Sequence, residues 1–167
     1  MSMKRFLVRS FLPLIALGLW HPALTLAQAH ASVPSQAKAQ EKSLYERLGG
    51  VYAIASVVDD FIERLLVNDI LNANPKIEEA RARVPKAGLK FRVTALVAQV
   101  TGGPETYAGR PMKEAHAHLG ITEKQWQAMV ADFKLTLDKF KVPAKEQGEL
   151  LAIVESTKKD IVTVAGK

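Results

Sequence analysis

The sequence predicts an all-α protein, and three observations carry that expectation. Apolar residues recur at steps of three and four in several segments, no segment sustains a period-two alternation, and Gly and Pro gather at a few breaks between the periodic stretches. The 167 residues are 48% apolar, enough for one domain with a real core. The chain has no cysteine, which excludes disulfide scaffolds, thiolate-held metals, iron–sulfur clusters and thiol catalysis.

Residues 1–31 read as an export leader, later removed. Lys4, Arg5 and Arg9 form a positive start, Phe11 to Trp20 an apolar run interrupted by Pro13, and Ala27-Gln28-Ala29 or Ala29-His30-Ala31 a small-x-small cleavage site. The run falls short of the roughly 20 apolar residues that span a bilayer, so the mature form is expected off the membrane, in the periplasm or secreted. Cleavage removes three basic and no acidic residues, lowering the formal charge from +6 to +3. No remaining Lys/Arg cluster is interleaved with aromatics, so no nucleic-acid partner is expected. Residues 32–42, rich in Ala, Ser, Gln and Lys, read as a flexible arm, and residues 43–167 as the folded domain.

Within that domain the helices follow in order. Ser43-Leu-Tyr-Glu46 has the spacing of a capping box and opens a short helix that Gly49-Gly50 ends. From Val51 to Val67, Ile54, Val57, Val58, Phe61 and Leu65 form one apolar stripe, with Asp59, Asp60, Glu63 and Arg64 opposite. Leu89, Val93, Leu96, Val97 and Val100 repeat the pattern up to Gly102-Gly103-Pro104. Met112 to Leu119 allows about two turns before Gly120. Thr122 to Gln125 is a second capping signal, followed by Trp126, Met129, Val130, Phe133, Leu137 and Phe140 on one face. Leu150, Leu151, Val154 and Ile161 mark the last helix.

Without the leader the chain keeps two histidines, His116 and His118, on the short helix. Residues two apart on a helix point about 200° apart, so one of them at most faces inward, and the pair cannot share a metal. A lone inward histidine can be an ordinary packed residue. It can also be the single protein ligand of a haem iron, which leaves the opposite coordination position open to a gas. That role needs a partner for the other ring nitrogen and a large apolar slot. No acid–base pair or serine nucleophile constellation is present, so no catalytic side chain is expected.

Ser43-Leu-Tyr-Glu-Arg-Leu-Gly-Gly50, Val57-Val-Asp-Asp-Phe61, Gly102-Gly-Pro-x-x-Tyr107-x-Gly109, Met112-Lys-Glu-Ala-His116 and Leu119-Gly-Ile-Thr122 together resemble the truncated haemoglobins of group I, over roughly Ser43 to Val162. The resemblance implies a shortened globin fold, a two-over-two helical sandwich holding haem b (iron protoporphyrin IX). It places His116 at the proximal iron-ligand position and Phe61, Met112 and Ile121 at positions that pack on the porphyrin. Tyr107 matches a loop tyrosine read as structural, and Lys90 and Arg92 fall near the pocket rim, where a cation could pair with a propionate.

The departures from the family pattern are equally specific. The residue after Phe61 is often a tyrosine that donates a hydrogen bond to the gas, and here it is Ile62. Leu89 and Val93 stand where a glutamine commonly provides a second donor. Such a bond is worth roughly 1.5–3 kcal/mol, so its loss weakens oxygen retention by about tenfold to a hundredfold. Arg92 swinging inward would restore a donor. The stretch from Asn72 to Gly88 is also longer than usual and could insert something into the pocket. The expected protein binds O2, NO or CO at a haem with an unusually apolar distal side and takes electrons from a reductase or other donor. The alternatives are a haem-free helical module for an apolar ligand or protein partner, and a haem carrier.

Overall fold

A computed structural model describes residues 41–164 of the chain. The predicted leader and nearly all of the predicted arm lie outside the described residues. The capping box at Ser43 forms: its hydroxyl accepts from the Glu46 N–H, and Glu46 accepts from the Ser43 N–H at 2.8 Å, opening helix α1 (Leu44–Arg47). Gly49 and Gly50 then take φ of 92° and 77°, a left-handed pair that turns the chain at once into α2 (Gly50–Val67).

Helix α2 buries Ile54, Val58 and Ile62, which lie on its predicted stripe or beside it. Asn68 caps α3 (Asp69–Asn72), and Asn74 caps α4 (Pro75–Arg83), where Pro75 occupies the first turn. Helix α5 (Lys86–Val100) follows, then an irregular passage, and then α6 (Met112–His116). Strand β1 (Ile121–Thr122) leads through the Thr122/Gln125 capping box into α7 (Glu123–Lys139). Helix α8 (Ala144–Ile161) runs into β2 (Val162–Val164), which pairs in parallel with β1, Ile121 opposite Val162.

Helix α2 packs on α5 and crosses to α7, which packs on α8, so α2–α5 and α7–α8 form the two layers of the predicted sandwich. Two apolar clusters fill it. One joins Ile54, Val58, Ile62 and Ala98, the other Leu44, Phe133, Leu137 and Leu150, and the Phe61 ring packs against both. Phe61 meets Phe133 edge to face with centroids 5.1 Å apart. Arg47 reaches both Glu146 and Glu149 at 2.5 Å and ties α1 to α8.

Two sequence expectations are corrected, and one segment left open by the sequence is filled. The stripe on α5 does not extend to Val100, which is 45% exposed; Ala95 and Ala98 are the buried residues, because small side chains let α2 and α5 approach closely. Phe140 is not part of the buried face: it caps the C-terminus of α7 and is exposed. The long stretch after Asn72 contains a helix, α4, that buries none of its own residues and so shows no apolar stripe. Among the described residues no helix is long and apolar enough to cross a membrane.

Candidate functional site

The chemistry of the site begins with the only half-buried histidine of α6. His116 Nδ1 lies 2.8 Å from the Met112 carbonyl oxygen. A carbonyl can only accept, so Nδ1 carries the proton and the lone pair stays on Nε2. Burial pushes the imidazole below its ordinary value; the Met112 carbonyl acts in the opposite direction, and nearby His118 adds a smaller lowering. The neutral, oriented imidazole is the form a metal accepts. His118 is exposed in the turn beyond.

The passage before α6 is braced by two tyrosines. Tyr45 donates to Glu105 Oε1 at 3.0 Å and accepts from the Val51 N–H at 3.1 Å, with its ring lying against Gly103, where an added Cβ would come within 2.5 Å of it. Tyr107 donates through its hydroxyl to the Arg110 carbonyl at 2.9 Å and through its N–H to Gln99 Oε1 at 2.6 Å. Its ring covers Gly109 so closely that a Cβ there would collide with it.

Four of the residues singled out from the sequence meet on the α2–α5 wall. Ile62 is buried, and Phe61, Leu89 and Val93 are half-buried against the same cluster. None of these side chains has a hydrogen-bond donor. Met112 and His116 sit on α6, which packs against α8, and Ile121 is buried in β1. Neither apolar cluster includes Met112 or Ile121. Arg92 is exposed and pairs with no described acidic residue. Lys90 is not a rim cation awaiting a partner: its ammonium sits 2.5 Å from both Asp59 and Glu63, linking α5 to α2 and holding the lysine above its ordinary value.

Two open surface depressions of about 610 and 620 Å³ lie elsewhere, one beside Ser43, Tyr45 and Pro104, the other beside Glu155, Lys158 and Val162. No group of three or more His, Asp or Glu is placed to hold a metal among the described residues. A donor set of one neutral imidazole, in a domain that also carries a donor-free apolar wall, suits a metal whose remaining ligands come largely from an organic macrocycle. By that test the residues present fit a haem.

Sequence reasoning passed over two buried polar groups. Asn74 is 8% exposed and bonds across three segments; a helix-capping Asn followed by Pro was its visible signal. Trp126 falls on the apolar stripe of α7, yet its fully buried indole N–H has no acceptor among the described residues.

Comparison with known proteins gives a consistent result. Residues 43–163 match the family profile described as bacterial-like globin. The group 1 truncated haemoglobin GlbN of Synechocystis is 33% identical over 115 residues, covering 66% of this chain and 88% of that protein. The protein of the same description from Mycolicibacterium paratuberculosis is 30% identical over 131 residues, covering 78% and 92%. Among solved structures, the 2/2 haemoglobin of Synechococcus, in the cyanomet state with covalently attached haem, superposes with a TM-score of 0.64 at 26% identity, covering 72% of this chain and 98% of that one.

Proposed function

The chain belongs to the bacterial-like globin family, among relatives named group 1 truncated haemoglobins, and on that premise we propose that it is a haem protein that binds a diatomic gas. His116 is the iron ligand in this reading. The observation that carries it is the 2.8 Å bond from Nδ1–H to the Met112 carbonyl, which leaves Nε2 unprotonated and fixes the ring. Haem, when bound, would supply an iron at which O2, NO or CO can bind. Phe61, Ile62, Leu89 and Val93 would offer that ligand an apolar wall, and Met112 and Ile121 would pack on the macrocycle.

The wall sets the character of the site. It has no N–H or O–H to give, so a polar ligand is held less firmly, by roughly tenfold to a hundredfold, while CO and NO depend less on a donor. Rapid oxygen release follows, which suits gas sensing or NO handling better than storage. Residues 1–31 are proposed to direct export to the periplasm, which N-terminal sequencing of the protein from fractionated cells would check.

The test is the ultraviolet–visible spectrum of the haem-loaded protein in ferric, reduced and CO-bound forms. A Soret band that shifts with CO supports the reading. Failure of the wild type to take up haem overturns it.

A further inference from the structure

Helix α6 has five residues and buries none of them fully; it is too short for its own hydrogen bonds to fix it, and its packing partner is α8. What holds its C-terminal turn comes from a distant segment. Asn74 Nδ2 donates to the Leu119 carbonyl at 3.0 Å, and the Leu119 N–H donates to the His116 carbonyl at 2.9 Å. The same amide nitrogen is 3.4 Å from Gln125 Oε1, which accepts from the Thr122 N–H at 3.0 Å. At its other end Asn74 Oδ1 accepts from the Lys76 N–H at 3.0 Å and caps α4. One buried side chain therefore closes the start of α4 and the turn after His116 together, across 45 residues of sequence.

We propose that Asn74 is a positioning residue for His116, through which the α3–α4 segment fixes the orientation of the imidazole. The inference rests on His116 being the iron ligand, but the link from Asn74 to the turn stands on its own. A run of bonds joins them: Asn74 amide to Leu119, Leu119 to the His116 carbonyl, and the His116 ring to Met112 one turn back. Leu119 and Met112 bracket the histidine, so a shift of either end turns the ring. Helix α4 has a second tie, from Arg81 to the Leu65 carbonyl at 2.6 Å, that does not touch α6.

Asn74→Asp separates the two functions of the side chain. The carboxylate still caps α4 but has no N–H for the Leu119 carbonyl. In the haem-free protein, amide exchange at residues 116–120 should quicken about three- to tenfold in Asn74→Asp, with α7 beyond its first turn unchanged. In the haem-loaded ferrous protein, the iron–histidine stretching band in the resonance Raman spectrum should shift or broaden. Arg81→Ala, which loosens α4 at its other tie, should leave that band in place. Asn74→Ser, with a hydroxyl too short to reach Leu119, should behave as Asn74→Asp does and stands in for it if the aspartate variant does not fold. Wild-type exchange and an unmoved band in the Asn74 variants would overturn the proposal, as would an equal band shift in Arg81→Ala. If the wild type takes up no haem, the haem reading fails, and the exchange measurement alone still decides whether Asn74 holds the turn.

Discussion

The α2–α5 wall and the α6 segment would serve the same proposed ligand but are held by different forces. The wall rests on interlocked apolar area, with Ile62 2% exposed and Ala98 fully buried, so no single contact defines it. Helix α6 has no fully buried residue; it leans on α8 and is otherwise placed by a short series of hydrogen bonds and two tyrosine braces. Chemistry on the wall can therefore be altered with little structural cost, whereas small changes around α6 would move the proposed iron ligand itself.

The largest effect should come from the α6 side. His116→Ala is expected to abolish haem uptake, read as loss of the Soret band, while His118→Ala leaves the spectrum unchanged; equal loss in both would assign the ligand wrongly. On the wall, Leu89→Gln adds a donor at nearly constant volume. Oxygen dissociation measured by stopped flow should slow by about tenfold to a hundredfold, with melting temperature little changed. Should the rate stay fixed, Leu89 does not face the gas.

Gly103→Ala probes the braces. The new Cβ would press on the Tyr45 ring, which two hydrogen bonds hold in place, and should cost about 1–3 kcal/mol in denaturant titration. A neutral result would mean that the ring swings aside freely.

The smallest effect belongs to the polar border of the wall. The Lys139 ammonium, with Arg64 and Thr136, lowers the Asp60 carboxyl to about 2 from an ordinary 3.8. Because the folded value is the lower one, the stabilisation is present above pH 3.8 and is lost as pH falls through 2. Asp60→Asn should cost about 1–2 kcal/mol at pH 7, less than the full shift implies because Lys139 is exposed, and the difference from wild type should vanish in acid. A difference that persists at pH 2 would point to packing and not to charge.

The wall was far more legible in the sequence than the α6 surroundings. Helices α2 and α7 and both capping boxes could be read directly, because burial on one side forces a three-and-four spacing and exposed ends demand caps. The contribution of Ala95 and Ala98 could not, since a small residue carries no hydropathy signal for close helix approach. Helix α4 has no apolar stripe because it covers nothing, and only Asn74-Pro75 announced it. The motif made His116 the candidate ligand. The state of its ring depends on a carbonyl four residues back and the order of its turn on Asn74, both properties of three-dimensional placement.

Helix α4 also bears on how the protein meets proteases. It has no buried residue of its own and hangs from Asn74 at one end and Arg81 near the other, so it can open while the sandwich stays closed. Trypsin sites at Arg81, Arg83 and Lys86 fall within or just beyond that helix. A first cut there would leave α2 and α5 on separate fragments, still joined by the apolar area between them, and the nicked protein should run as one particle until denatured.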